Sequence, residues 1–132
     1  MIHVYIVAIF LHLYVIFVTK YRRRVLGNSH LLSLAVTFKE LYLKFNAKLS
    51  EFNGECDHVH LLVSTSPNTP SVVQLVNSLK AGSSRRLQRE FNDIAGMFSQ
   101  NVLWNRSYFA GTCGSAPLDV IKQYIQQQDW PH

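Results

Sequence analysis

Cysteine, acidic charge and proline are all scarce in this chain of 132 residues, and each scarcity excludes something. The two cysteines, Cys56 and Cys113, form no CxxC pair, so neither a disulfide framework nor a cysteine-based zinc site is on offer. So few cysteines fit a reducing cytoplasm, which is the expected compartment. Charged residues make up 16% against 48% hydrophobic residues, a balance that rules out intrinsic disorder over most of the chain. With 4 prolines, no internal repeat and no low-complexity stretch, the sequence offers no linker at which to divide it, and residues 1–132 are expected to form one domain. Acidic residues are the rarer sign, 8 against 13 Lys plus Arg, so the formal net charge is +5 and the natural partner is a polyanion.

One long hydrophobic run is present. Residues 1–19, MIHVYIVAIFLHLYVIFVT, precede the basic stretch KYRRR. The length approaches that of a membrane helix with a basic flank. His3, His12 and the density of Val, Ile, Tyr and Phe favour a buried strand instead, and no membrane association is expected. A signal peptide would carry its basic residues before the run and a cleavage site after it, and neither is there.

Periodicity then sets out the remaining elements. Gly27-Asn28 signals a turn, and Ser29 is placed to cap a helix over 29–49 whose apolar stripe is Leu31, Leu34, Phe38, Leu41 and Phe45. Residues 50–55 read as a short strand and 58–65, HVHLLVST, as its hairpin partner. Thr69 and Pro70 form a helix start, with a helix running to about Phe91 and burying Val72, Val76, Leu79 and Leu87. Residues 102–112 read as a last strand, 110–115 as a glycine-containing hinge and 116–128 as a final helix. The order β-α-β-β-α-β-α predicts an α+β fold of the ferredoxin-like or RRM-like split βαβ type, an antiparallel sheet with helices on one face.

Three groups of residues could carry chemistry. In Asp57-His58-Val59-His60 the two imidazoles fall on one face of a strand with Val59 turned to the core, so one divalent cation could bridge them; Asp57, just before, should face away. The bland alternative is a polar pair on a solvated sheet face. On the last helix Tyr124 and Gln128 stand four residues apart, where a phenol nucleophile and an amide oxygen donor would share a stripe; a half-buried packing tyrosine is the alternative. Basic residues cluster at Lys20, Arg22, Arg23 and Arg24, and again at Lys80, Arg85, Arg86 and Arg89 beside Ser83 and Ser84, with Arg106 between Trp104 and Tyr108. Arginine interleaved with aromatics suits single-stranded nucleic acid, where phosphates pair with cations and bases stack on rings. A solvated basic surface is the plain reading of the same charges.

Together these stretches resemble one family, the HUH-type single-tyrosine transposases of prokaryotic insertion sequences and their repeat-associated tyrosine transposase relatives. The resemblance is carried by FVTKYRR at 17–23, EFNGECDHVHLLVS at 51–64, NSLKAGSSRRL at 77–87, LWNRSYF at 103–109 and APLDVIKQYIQQQ at 116–128. Cys56 departs from it, standing where the family usually has proline. The resemblance implies that His58, His60 and Gln128 hold a divalent metal ion, Mg²⁺ or Mn²⁺, and that Tyr124 is the nucleophile. It further implies cleavage and rejoining of single-stranded DNA through a 5′-phosphotyrosine link, hairpins at the element ends as the partner, and a homodimer whose tyrosine is supplied in trans. A non-catalytic or domesticated single-stranded nucleic-acid-binding module of the same fold is the rival reading.

Overall fold

A computed structural model describes residues 11–98 and 102–112 of the chain. Its elements are β1 (Leu11–Val18), α1 (Asn28–Lys44), β2 (Ala47–Glu55), β3 (His58–Thr65), α2 (Val72–Glu90) and β4 (Phe109–Thr112), with a 3-10 turn at Lys20–Arg22. The strands form a single antiparallel sheet in the order β2-β3-β1-β4. That order is the split βαβ, ferredoxin-like plan expected from the element sequence. Among the described residues no helix is long and apolar enough to cross a membrane.

Strand alternation sorts the sheet into two faces. Leu13, Val15 and Phe17 of β1 and Val59, Leu61 and Val63 of β3 share one core with Leu34 and Phe38 of α1 and Leu75, Val76, Leu79 and Leu87 of α2. Both helices therefore cover the same face. The other face carries His12, Tyr14, Ile16 and Val18 on β1 opposite Ser64, Leu62, His60 and His58 on β3.

Element ends depart from the sequence expectation in ways with local causes. Helix α1 has Gly27 rather than Ser29 at its N-cap, because the His30 ring accepts the Gly27 N–H at its Nδ1 (2.9 Å) and so does the work of a cap. It stops at Lys44, not Leu49, because Asn46 takes a left-handed conformation (φ 58°) that ends a helix and frees Ala47 to start β2. Strand β2 is accordingly longer than 50–55, with a register shift between Leu49 and Glu51. Thr69 does not cap α2. Its hydroxyl donates to the Asn46 carbonyl (2.8 Å) and accepts from the Ser66 N–H (2.9 Å), and Ser71 caps the helix instead. Leu75 replaces the more exposed Val72 in the buried stripe.

The expected strand over 102–112 is cut to its last four residues. Trp104 turns inward and is 1% exposed, making only an isolated bridge to Thr19. Its indole packs against Phe17 and Phe38, with ring centroids 5.7 and 6.4 Å away. Ala110, Gly111 and Thr112, expected at the start of a hinge, are paired with Val15, Tyr14 and Leu13. The rest of that segment and the helix expected over 116–128, with Tyr124 and Gln128, lie outside the described residues.

Candidate active site

Sheet register builds the site. The Glu55–His58 pairing closes a tight hairpin at Cys56-Asp57, and β3 begins on the first histidine. His58 is flanked by Glu55 of β2 and Val18 of β1, and His60 by Asn53 and Ile16. The two rings are neighbours on that face, with centroids 4.9 Å apart. Neither lies on a fully solvated surface: His58 is 7% exposed and His60 is half-buried. Burial, and then the neighbouring His58, push the His60 pKa below its ordinary value, while Glu55 acts the other way. His60 therefore favours the neutral form, the form that can ligate a metal. Its Nε2 is buried and has no hydrogen-bond partner among the described residues.

Asp57 corrects the sequence expectation. It sits in the hairpin turn, where strand alternation does not apply, and its carboxylate turns to the histidine. Oδ1 accepts from His58 Nδ1 at 2.6 Å and Oδ2 from Arg22 Nε at 2.8 Å. Burial alone would raise the Asp57 pKa, but the His58 and Arg22 hydrogen bonds outweigh it and hold the carboxyl below its ordinary value. The ligand atoms of Glu55, Asp57 and His58 lie within 4.8 Å of one another, a cluster of the type that can hold a metal ion.

Arg22 reaches Asp57 because the chain reverses sharply after β1. Tyr21 and Arg22 take φ of 59° and 52°, a left-handed pair that costs non-glycine residues about 1–2 kcal/mol each. The turn is held by Lys20 N–H to the Leu103 carbonyl (2.8 Å), Arg22 N–H to the Thr19 carbonyl (2.8 Å) and Thr19 N–H to the Asp57 carbonyl (2.9 Å). The buried Thr19 hydroxyl sits 2.7 Å from the Arg23 carbonyl, which accepts from it. The basic stretch and the histidine pair are thus one local structure, although 35 residues separate Arg22 from Asp57.

The basic residues divide. Besides Arg22, Arg23 is engaged, donating to the Met97 carbonyl (2.6 Å) with its guanidinium over Phe98. Lys20 lies over the Tyr21 ring and Arg24 is exposed. Lys80 donates to the carbonyls of Asn105 and Arg106 at 2.7 and 2.8 Å, and burial lowers its pKa, with Arg106 adding to the effect. Ser83 and Ser84, expected at a nucleic-acid surface, are buried instead. Ser83 Oγ accepts the Trp104 indole N–H (2.9 Å) and Ser84 Oγ accepts the Leu103 N–H (3.1 Å). Arg86 pairs with Glu40 across α1 and α2. Arg85 and Arg89 are exposed and line a groove with Leu41, Lys44 and Gly82. That groove belongs to the helical layer, across the sheet from the histidines. Arg106 is exposed in a bend, not in a strand.

An antiparallel split βαβ sheet that carries two adjacent histidines on the face away from α1 and α2 narrows the class, and comparison with known proteins fixes it. The family model described as "Transposase IS200 like" matches residues 8–128, and the chain belongs to that family. It is 27% identical over 115 residues to the transposase for insertion sequence element IS200 of Salmonella typhimurium, covering 87% of this chain and 74% of the relative. The ISDra2 transposase TnpA of Deinococcus radiodurans is 27% identical over 118 residues, 89% of this chain and 84% of the relative. A crystal structure of a Deinococcus radiodurans R1 protein assigned as a transposase superimposes with a TM-score of 0.84 at 27% identity, over 96% of this chain and 95% of that one. A REP-associated tyrosine transposase solved on a REP hairpin shares the fold at a TM-score of 0.58 and 8% identity, over 95% of this chain and 68% of that one. The protein is a DNA transposase.

Proposed function

We propose that this transposase cuts and rejoins single-stranded DNA at hairpin-bearing element ends, with Tyr124 as the nucleophile. The observation that carries the reading is the His58–His60 pair on the sheet face away from the helices, its His60 Nε2 buried and unpartnered among the described residues. An orphaned imidazole nitrogen next to a second histidine suits a divalent cation, so His58 and His60, joined by Gln128, are the proposed holders of Mg²⁺ or Mn²⁺. When bound, that ion supplies Lewis-acid polarisation of the scissile phosphate. The Tyr124 phenolate attacks the phosphorus in line and the bond to the 3′-oxygen breaks. That oxygen leaves as a 3′-hydroxyl after protonation, and the 5′-phosphate stays on the tyrosine. A 3′-hydroxyl of another strand reverses the step, and no external energy source is consumed.

Two sets of cations are placed to meet DNA, half-buried Lys20 with exposed Arg24, and exposed Lys44, Arg85 and Arg89. Lys20 and Arg24 flank the turn that reaches the histidine pair, where they would steer the strand to be cut. Lys44, Arg85 and Arg89 lie on the helical layer, where they would hold phosphates away from the chemistry. The hairpin carried by the REP-associated relative of the same fold supports a hairpin substrate. The functional unit is proposed to be a homodimer with composite sites, the tyrosine of each chain serving the histidines of the other. The test is cleavage of end-labelled single-stranded DNA carrying a hairpin, in Mg²⁺ or Mn²⁺. Wild type should cleave, while Tyr124→Phe should bind without cleaving. Cleavage retained by Tyr124→Phe would reject the assignment.

A further inference from the structure

We infer that Asp57, steered by Arg22, is a positioning residue that fixes the tautomer of His58, keeping the proton on Nδ1 and leaving Nε2 as the lone-pair nitrogen for a cation. The inference rests on the proposed role of His58 as a metal ligand.

The geometry is specific. A carboxylate only accepts, so the 2.6 Å contact between Asp57 Oδ1 and His58 Nδ1 requires the proton on Nδ1. A metal-ligating histidine ordinarily gives its other ring N–H to such a partner, which sets both tautomer and ring orientation. The carboxylate cannot swing away. Its second oxygen is taken by Arg22 Nε at 2.8 Å, and its own backbone carbonyl is tied to the Thr19 N–H at 2.9 Å. Arg22 is delivered there by two consecutive left-handed residues, a conformation that needs a compensating contact. A bond between neighbours in sequence, such as Asp57 to His58, closes no loop and staples nothing distant together. What it can do is choose which ring nitrogen stays free.

Arg22 makes the device directional. A guanidinium only donates, so it demands an oxygen at the Oδ2 position. In Asp57→Asn the amide oxygen must therefore face Arg22, and the NH₂ must face His58 Nδ1. That arrangement drives the proton to Nε2, the nitrogen meant for the metal. Removing the Arg22 donor as well lets the amide turn, and its oxygen can again accept from Nδ1–H.

The experiment follows the His58 ring nitrogens by ¹⁵N-edited NMR in metal-free protein, in alkaline buffer where the imidazole is neutral. Mn²⁺ affinity is measured alongside by calorimetry. Wild type should show His58 protonated on Nδ1; protonation on Nε2 would overturn the inference with no variant needed. Asp57→Asn should switch the proton to Nε2 and weaken Mn²⁺ binding about 10- to 100-fold. An unchanged tautomer in that variant would also overturn it. The double variant Arg22→Met with Asp57→Asn should return the proton to Nδ1 and recover most of the lost Mn²⁺ affinity, which a merely structural role for Asp57 would not do. Failure to recover would reject the steering by Arg22. The variant His58→Ala separates the two levels: Mn²⁺ affinity unchanged there contradicts the ligand role, whereas the tautomer of the metal-free ring reports on Asp57 alone.

Discussion

Trp104 donates its indole N–H to the Ser83 hydroxyl at 2.9 Å in a fully buried setting, and that bond ties the segment before β4 to α2. Next to it, Ser84 accepts the Leu103 N–H, and Lys80 one turn earlier in α2 donates to the carbonyls of Asn105 and Arg106. The small residues of NSLKAGSSRRL are thus a socket for LWNRSYF, and the helical serines serve packing instead of DNA. Trp104→Ala should cost about 3–5 kcal/mol, since it removes a fully buried indole, the largest such side chain among the described residues, from the Phe17–Phe38 cluster. Ser83→Ala should cost about 1–3 kcal/mol by leaving the indole N–H unpaired. Urea denaturation followed by circular dichroism checks both; a Trp104→Ala loss below that of Ser83→Ala would contradict this packing.

His60 should titrate below the ordinary imidazole value of about 6.5 in the metal-free protein, because its charged form is desolvated and faces His58. The sign for stability follows. An unfolded chain takes up the His60 proton at a higher pH than the native chain does. The contribution is therefore fully present above about pH 6.5 and is lost as pH falls through the lower native pKa. Ring-proton NMR titration reads the pKa, and His60→Gln should flatten that part of the stability curve. A His60 midpoint above the ordinary value would contradict the buried site.

Arg85 and Arg89 stand on the helical layer, across the sheet from the histidines. Replacing both with alanine should weaken hairpin binding and lower the magnitude of its log–log salt slope. Each lost phosphate contact is worth roughly 0.7 on single-stranded DNA. Cleavage at saturating DNA should change little. Fluorescence anisotropy across a salt series measures the slope, and an unchanged slope would take these residues out of the DNA surface.

Composite sites can be tested by mixing Tyr124→Phe protein with His60→Ala protein and letting dimers exchange. If the tyrosine acts in trans, the mixed dimer holds one intact site and cleaves, with the adduct on the His60→Ala chain. If it acts in cis, every chain carries one broken part, and demonstrated mixed dimers stay inactive.

Strand β3 and its hairpin were legible in the sequence because β-branched and apolar residues alternate there between tight turns. The sheet order followed from the element order. The limits of α1 were not legible, because a histidine cap and a left-handed asparagine are individual contacts that periodicity does not encode. Asp57 escapes the pattern for a related reason: alternation governs strands, and Asp57 belongs to a turn whose shape depends on Arg22, far away in the chain. Arg22 itself looked like any other cation in a basic run. The available signal was Asp57 as the last residue of a two-residue turn directly before His58, since a turn residue can fold back over its neighbour. The basic residues could be counted but not sorted, because only packing shows which lysine or arginine already holds a carbonyl or a carboxylate.

The proposed role of Tyr124 is to form the covalent bond to DNA. Incubate the protein with single-stranded hairpin DNA and Mn²⁺, isolate the SDS-resistant adduct, digest it with trypsin and nuclease, and sequence the modified peptide by mass spectrometry. Cleavage after Lys122 gives a peptide that starts at Gln123 and carries Tyr124. Tyr124 should carry a nucleotide phosphate, and Tyr124→Phe should give no adduct. An adduct on any other residue, or one that persists in Tyr124→Phe, would contradict that role.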